Sequence, residues 1–218
     1  MMRFATAVLA VFTLCACGGN NPGSGSGTLF VSARFSTDGS PSASAARVTI
    51  REAGPFGALV KDATVNVSGS KAPKTNIPYV EMNNEYRVDQ FPWDEIIRLE
   101  VTRGQDRVEG SVTSPGTSQI TNPTNDGTVR QANGLTISWR DSNMQPANTV
   151  RVRMYRSMID TTLADDKFEF NVAFDKLVVA DDENVNLERS NEVALAGGTA
   201  GSAMSVTTYH SVRFRIEP

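Results

Sequence analysis

Apolar residues recur at every second position of the chain after Thr28, and this period of two most restricts what the chain can fold into. Side chains alternate between the two faces of a β-strand, so the pattern predicts strands with one buried face. It is clear in four runs of the first half, which carry Leu29, Val31, Ala33 and Phe35; Val48 and Ile50; Ala63, Val65 and Val67; and Ile97, Leu99 and Val101. The sequence therefore predicts an all-β protein.

Turn-forming residues separate these runs, as expected for short antiparallel strands. Gly54-Pro55 is one such break. Asn83-Asn84 is expected to join residues 77–82 to residues 85–88 as a hairpin, because Asn tolerates the positive φ of a tight turn. Short strands at this spacing favour a β-sandwich or a barrel-like module.

Ser114-Pro115-Gly116 is the predicted boundary between two modules, because it is rich in strand breakers and follows the strand-like residues 107–112. We therefore expect two small Ig-like β-sandwiches, residues 28–114 and residues 115–218. Residues 157–167 are the only stretch in which a short helix is considered. Strands of the second module are predicted over residues 128–130, 135–139, 149–156, 168–174, 184–187, 192–195 and 204–216.

The N-terminal segment is organised like an export signal. Arg3 supplies a positive start, and the mostly apolar residues 4–14 are fewer than the roughly 20 needed to span a bilayer. Leu14-Cys15-Ala16-Cys17 follows and resembles the lipobox of bacterial lipoproteins. The resemblance implies that residues 1–16 are a cleaved signal peptide and that Cys17 becomes the lipidated N-terminus. Ordinary signal cleavage, with Cys17 left as a free thiol, is the alternative.

Residues 17–27 carry the anchored cysteine and a Gly/Ser-rich linker. The linker has too few apolar side chains to offset the entropy of ordering, so we expect a flexible tether that spans less than about 20 Å. Gly18 follows Cys17, and in the sorting of Gram-negative lipoproteins a residue other than Asp at this position implies the outer membrane. Which face of that membrane carries the body stays open. Both cysteines of the chain lie in residues 1–17, which leaves no disulfide for the body.

The charge of the chain is mildly acidic, with 21 Lys and Arg against 24 Asp and Glu. Nothing in this balance attracts nucleic acid, so no nucleic-acid partner is expected. The partners that remain are the membrane, through the lipid anchor, and a protein of the envelope or cell surface.

Each half of the body also resembles a known family. Gly134-Leu-Thr-Ile-Ser-Trp139 and Val150-Arg-Val-Arg-Met-Tyr155 are similar to strands B and C of fibronectin type III domains, and residues 209–216 to a late strand of that fold. Val60-Lys-Asp-Ala-Thr-Val-Asn-Val-Ser-Gly69 resembles strands of transthyretin-like and Ig-like accessory modules. Both resemblances imply β-sandwiches, and the transthyretin-like resemblance implies a non-catalytic accessory module.

Groups that could perform catalysis are scarce. His210, the single histidine, lies mid-strand on an apolar face and is interpreted as a structural residue. Ser68-Gly-Ser-Lys71 has the S-x-x-K spacing of penicillin-recognising enzymes, but their S-D-N and K-T-G elements are absent, so it is interpreted as a polar turn. We expect no catalytic residues, no cofactor and no enzymatic activity.

Carboxylates are the one abundant reactive type. Asp165-Asp166 and Asp181-Asp182-Glu183 are dense enough to be considered as oxygen ligands for calcium, although neither follows the EF-hand pattern and solvated loop charges are the default interpretation.

The leading hypothesis is therefore a non-enzymatic, outer-membrane-anchored lipoprotein whose β-sandwich body binds a protein or another envelope component. One alternative is a surface carbohydrate-active or hydrolytic protein that uses the acidic loops, which requires two carboxylates about 5–10 Å apart in a cleft. Another is a purely structural envelope component.

Overall fold

The computed structural model describes residues 27–141 and 145–218. The signal peptide, Cys17 and most of the tether lie outside the described residues. The all-β prediction is confirmed, since regular structure in the described part consists of strands and three single turns of 3₁₀ helix, Pro41–Ala43, Gln131–Asn133 and Phe174–Lys176. The strands are β1 (Leu29–Thr37), β2 (Ala45–Glu52), β3 (Thr64–Gly69), β4 (Thr75–Asn76), β5 (Tyr79–Val80), β6 (Glu85–Asp89), β7 (Ile96–Arg103), β8 (Asp106–Thr113), β9 (Ser118–Asn122), β10 (Gly127–Arg130), β11 (Leu135–Asp141), β12 (Thr149–Met154), β13 (Ile159–Leu163), β14 (Glu169–Val172), β15 (Ala180–Ala194) and β16 (Ala203–Glu217).

The strands form one large sheet and two small ones. The large sheet has nine strands in the order β13-β12-β15-β16-β1-β2-β6-β5, with β10 also paired to β16. The small sheets have the orders β4-β3-β7-β8 and β14-β11-β9. Two separate apolar cores result, one under each small sheet, and they define a first and a second sandwich.

Strands β15 and β16 belong to both sandwiches. They pair antiparallel along almost their whole length, from Ala180 opposite Ile216 to Ala194 opposite Ala203. The first core takes Leu195, Met204 and Val206 from this hairpin, and the second takes Val185, Leu187, Val212 and Phe214. The module boundary at Ser114-Pro115-Gly116 stays a prediction, and the first core draws side chains from both sides of it.

The second sandwich has the strand order of an immunoglobulin-type fold. One sheet contains β9, β11 and β14, and the other contains β13, β12, β15 and β16, with the short β10 also paired to β16. This is the ABE and C′CFG arrangement, in which β11 is strand B and β12 is strand C. Trp139 of β11 is buried in the core, as the resemblance to a fibronectin-type strand B implies.

Several local expectations change. Residues 159–163 form strand β13 rather than a helix, because Ile159 and the two threonines pair with β12. The strands predicted over residues 184–187 and 192–195 are one continuous strand, β15, which ends at Ala194. Strand β9 was not expected, since its polar sequence shows no alternation. The predicted hairpin at Asn83-Asn84 is confirmed, with Val80 opposite Glu85 and Asn84 at a φ of 55°.

The shared hairpin gives the molecule two free ends. The proximal end belongs to the first sandwich and contains Thr28 with the turns at residues 53–58, 81–84, 103–106 and 196–202. The distal end belongs to the second sandwich and contains the turn at residues 155–158 and residues 174–179. Strand β15 alone separates the two ends by about 45 Å at 3.3 Å per residue.

Candidate interaction surfaces

Asp166, one of the carboxylates considered for calcium, is part of a buried ionic network around Arg189. The Arg189 guanidinium contacts Asp141 Oδ2 at 2.9 Å and Asp166 Oδ2 at 2.6 Å, and all three side chains are fully buried. Asp166 also accepts hydrogen bonds from the Trp139 indole at 3.1 Å and the Ala147 amide at 2.9 Å. The guanidinium donates further to Pro115 O, Ser118 Oγ and Gln145 O. Asp166 therefore joins loops of the second sandwich to β15.

The second acidic segment lies at the distal end and is also engaged by protein groups. Asp181 contacts Arg215 at 3.1 Å, and Asp182 contacts Arg156 at 2.5 Å. The hydrogen bond from Arg156 lowers the pKa of the Asp182 carboxyl below its usual value. Glu183 is completely buried and has no cation beside it in the ion pairs of the described residues.

The Glu183 carboxylate is satisfied by hydrogen bonds alone. It accepts them from the backbone amides of Arg156, Ser157 and Asn184 at 2.8–2.9 Å and from Ser157 Oγ at 2.7 Å. Ser157 Oγ in turn accepts a hydrogen bond from the Val178 amide at 3.2 Å. Glu183 thus fixes the turn at residues 155–158 against residues 178–179.

The two acidic segments do not meet. Asp166 contacts Arg189, which lies six residues along β15 from Glu183, a separation of about 20 Å. Asp165 is exposed to solvent. Across residues 27–141 and 145–218, no group of three or more His, Cys, Asp or Glu side chains is placed to hold a metal ion.

His210 lies where the two sandwiches meet. Its Nδ1 accepts a hydrogen bond from the Ile120 amide at 3.2 Å and so joins β9 to β16. Burial lowers the pKa of the imidazole, and the nearby Asp38 opposes that effect in part. The neutral form that accepts at Nδ1 is therefore favoured.

The S-x-x-K segment wraps around a carboxylate of its own chain. Asp94 accepts hydrogen bonds from Ser70 Oγ at 2.7 Å and from the amides of Lys71 and Ala72 at 2.5 and 2.9 Å. With the Ser70 hydroxyl as the largest cause, these donors hold the pKa of Asp94 far below its usual range. The segment therefore closes a polar turn at an edge of the first sandwich.

The distal end exposes a group of apolar side chains, which we call the distal apolar surface. Its members are Tyr155, Met158, Phe174, Val178 and Val179, exposed by 76, 88, 61, 45 and 47%. Val178 adjoins the 155–158 turn through its bond to Ser157, and the edge strand β13 begins directly after that turn. Soluble proteins rarely expose such neighbouring apolar groups outside an interaction site.

Sequence reasoning missed this surface, although signals for it exist. Leu177-Val178-Val179 is an apolar run without the period of two. Glu183 shares its alternation with Val185 and Leu187, and this places its carboxylate on the inward face of β15. Both signals were hidden by the acidic composition of residues 181–183.

A second notable surface is a row of arginines on the outer face of the large sheet. Arg34 of β1 lies opposite Arg47 of β2, which lies opposite Arg87 of β6. Arg87 pairs with Asp89 at 3.1 Å, whereas Arg34 and Arg47 are exposed and form no salt bridge with any described residue. Like charges directly opposite each other destabilise a sheet. A groove of about 510 Å³ is lined by Arg34 and Arg47, by hydroxyl groups that include Ser36 and Thr207, and by the carboxylates of Glu188 and Glu192.

Comparisons with known proteins add little to this description. No protein-family model matches the chain, and no curated protein matches it. Among solved structures it is similar to a two-domain fibronectin type III segment of chicken tenascin, at 12% identity and a TM-score of 0.27, over 78% of this chain and 91% of that one. At that TM-score, no role is carried over. No helix in the described residues has the length and apolarity to cross a membrane.

Proposed function

We propose that this protein is a non-enzymatic, lipid-anchored lipoprotein of the outer membrane whose distal end binds a protein of the cell envelope. The distal apolar surface is the observation that carries the proposal. The lipobox resemblance at Leu14–Cys17 supports the anchor. The tether joins the body at Thr28, on the proximal end, so the distal surface is the one held furthest from the anchor.

The chemistry of the distal apolar surface favours a protein as its partner. Burying apolar area stabilises a complex by about 25 cal/mol for each Å² removed from water, and aliphatic side chains such as Met158 and Val178 pack against other apolar side chains without a directional requirement. The hydrogen bonds to Glu183 hold the surface in place, which reduces the entropy lost on binding. Strand β13 offers an unpaired backbone edge beside it, to which an extended segment of the partner can add.

The proposal is tested in living cells with the full-length chain. A photo-cross-linking amino acid placed at Met158 should yield a discrete protein adduct, and Val179→Asp in the same chain should reduce that adduct at least tenfold. The matched control position is Thr136, which is exposed on the outer face of the small sheet of the second sandwich. Equal adduct yields from positions 158 and 136, or an adduct that Val179→Asp leaves unchanged, would overturn the proposal.

The arginine row favours a second candidate function, binding of an anionic envelope component. Guanidinium groups repeated at the strand spacing of about 4.8 Å match a chain of phosphate or carboxylate groups. Inorganic polyphosphate is a suitable probe. The double variant Arg34→Gln, Arg47→Gln should abolish binding of this probe at low salt. The control pair Arg151→Gln, Arg153→Gln removes arginines that already face Asp160 and Glu188, and should leave binding unchanged.

A further inference from the structure

The proximal end carries two almost completely exposed apolar side chains close to the point where the tether joins the body. Phe56 is 97% exposed and Met82 is 95% exposed. The Ala53 amide, at the start of the turn that carries Phe56, donates a hydrogen bond to Thr28 O at 2.7 Å. The turn that carries the exposed phenyl ring is therefore hydrogen-bonded to the residue at which the tether ends.

Phe56 is presented by a firmly bonded turn. The Gly57 amide donates to Gly54 O at 3.1 Å, and the Arg51 guanidinium donates to Gly57 O at 3.0 Å. A Cβ atom at Gly57 would lie 1.6 Å from Glu52 O, so only glycine permits the backbone to pass this closely. The closed turn carries the ring of Phe56 in solvent.

Met82 occupies the tip of the β5–β6 hairpin at the same end. Lys61 Nζ contacts Glu81 at 2.8 Å and joins this hairpin to the segment that leaves the Phe56 turn. Arg103 likewise contacts both Glu52 and Asp62 at 2.8 Å. The proximal end thus presents two separate apolar tips on a surface that also carries several ion pairs.

We propose that the proximal end rests on the bilayer that anchors the protein, with Phe56 and Met82 inserted among the lipid headgroups and upper acyl chains. The inference rests on the proposed lipid anchor. The tether expected over residues 18–27 typically spans less than about 20 Å, so Thr28 and the adjoining Phe56 turn are held near the membrane. A tether this short keeps the tips at a high effective concentration at the bilayer surface, where weak insertion of single side chains suffices.

A bilayer fits this end better than a protein partner does. The two tips are separated by paired charges, and a fluid interface accommodates isolated apolar groups without a matching pocket. The contact fixes the orientation of the molecule, because the distal apolar surface then points away from the membrane and lies about 45 Å further out along the shared hairpin.

The test uses the lipidated full-length protein in vesicles of phosphatidylethanolamine and phosphatidylglycerol. The described residues contain no cysteine, and lipidation removes the thiol of Cys17, so an introduced cysteine is the single labelling site. An environment-sensitive fluorophore on Phe56→Cys or Met82→Cys should show blue-shifted emission and quenching by lipid-borne nitroxides. The same label on Phe174→Cys at the distal end should behave as in water. Labels at positions 56 and 82 that match the one at 174 would overturn the inference.

Failure of the anchor gives a different result. Cys17→Ser should release the protein from the vesicles, and persistent association of that variant would contradict the lipid anchor on which the inference rests. A protein that depends on Cys17 for association, yet keeps residues 56 and 82 in water, would overturn the membrane contact alone.

Discussion

The first and second sandwiches share a hairpin but differ in how they use their free ends. At the proximal end, two single apolar tips stand among paired charges beside Thr28. At the distal end, several exposed apolar side chains lie on the 155–158 turn and the adjoining residues 174–179, and the buried Glu183 helps to hold these two segments together. Isolated tips suit a fluid interface, and a fixed group suits a protein partner. The role of an exposed apolar residue therefore depends on its grouping and its support as well as on its exposure.

The sandwiches also differ in how they bury charge. Each buries a carboxylate with hydrogen bonds from neutral donors, Asp94 in the first and Glu183 in the second. The second also buries a cation between two carboxylates at Arg189. Removing one partner from a buried ion network leaves charges without compensation, whereas removing a singly charged group from neutral donors has a smaller effect.

Arg189→Met should have the largest effect on stability. It leaves Asp141 and Asp166 buried without their cation, and we expect a loss of about 3–5 kcal/mol in the free energy of unfolding. Because β15 belongs to both cores, urea unfolding followed by fluorescence should still show one transition for the whole body. The control Arg153→Met removes an exposed arginine and should change stability by less than about 1 kcal/mol. Two separate transitions in the variant would show that the sandwiches are independent.

Glu183→Gln should have the next largest effect on stability, and it should also weaken binding at the distal end. The amide keeps one acceptor oxygen but turns an N–H donor toward groups that themselves donate, so we expect a loss of about 1–3 kcal/mol. The adduct from position 158 should fall with it, because the turn loses its support. Asp182→Asn, next in the chain but on the surface, is the control and should lower the urea midpoint much less, because it removes only the exposed ion pair with Arg156. An unchanged adduct yield from position 158 in the Glu183→Gln variant would show that partner binding does not depend on the Glu183 carboxylate.

Asp94→Asn tests the buried carboxylate of the first sandwich, whose contribution to stability should depend on pH. The folded pKa of Asp94 is held below the unfolded value of about 3.9, so its stabilising effect is complete above about pH 4 and is lost as the pH falls further. The variant should be less stable by about 1–2 kcal/mol at pH 7. In urea titrations, this gap in the free energy of unfolding between the parent protein and the variant should narrow below pH 4. A gap that stays constant to pH 3 would contradict this assignment.

His210→Gln should have the smallest effect, confined to the junction of the sandwiches. The folded pKa of His210 lies below the unfolded value of about 6.5, so the histidine stabilises fully above pH 6.5 and progressively less as the pH falls below it. Glutamine accepts from the Ile120 amide without titrating. Thermal unfolding midpoints should therefore fall less between pH 7 and 5 in the variant than in the parent protein, and equal slopes would refute the role.

Much of the fold can be predicted from the alternation of apolar and polar residues. The predictions that were wrong or missing have physical reasons. The inward face of β16 is apolar at Met204, Val206, Val212 and Phe214, so its periodicity identifies it. In β15 the alternation of apolar residues is interrupted by Glu188-Arg189-Ser190-Asn191. The sequence alone cannot show that Arg189 faces inward onto two aspartates 23 and 48 positions away. Asp181, Asp182 and Glu183 were considered together as calcium ligands because they are adjacent in the sequence. Successive side chains of a strand point to opposite faces of the sheet, so these residues do not lie on one face.

The most direct test of the account compares the two ends in one experiment. The photo-cross-linking residue is placed at Met158 or at Phe56 in otherwise identical, lipidated full-length protein in living cells, and protein adducts are counted on gels. The account predicts a discrete protein adduct from position 158 and none from position 56, whose ring contacts lipid. A protein adduct from position 56 with none from position 158 would contradict it.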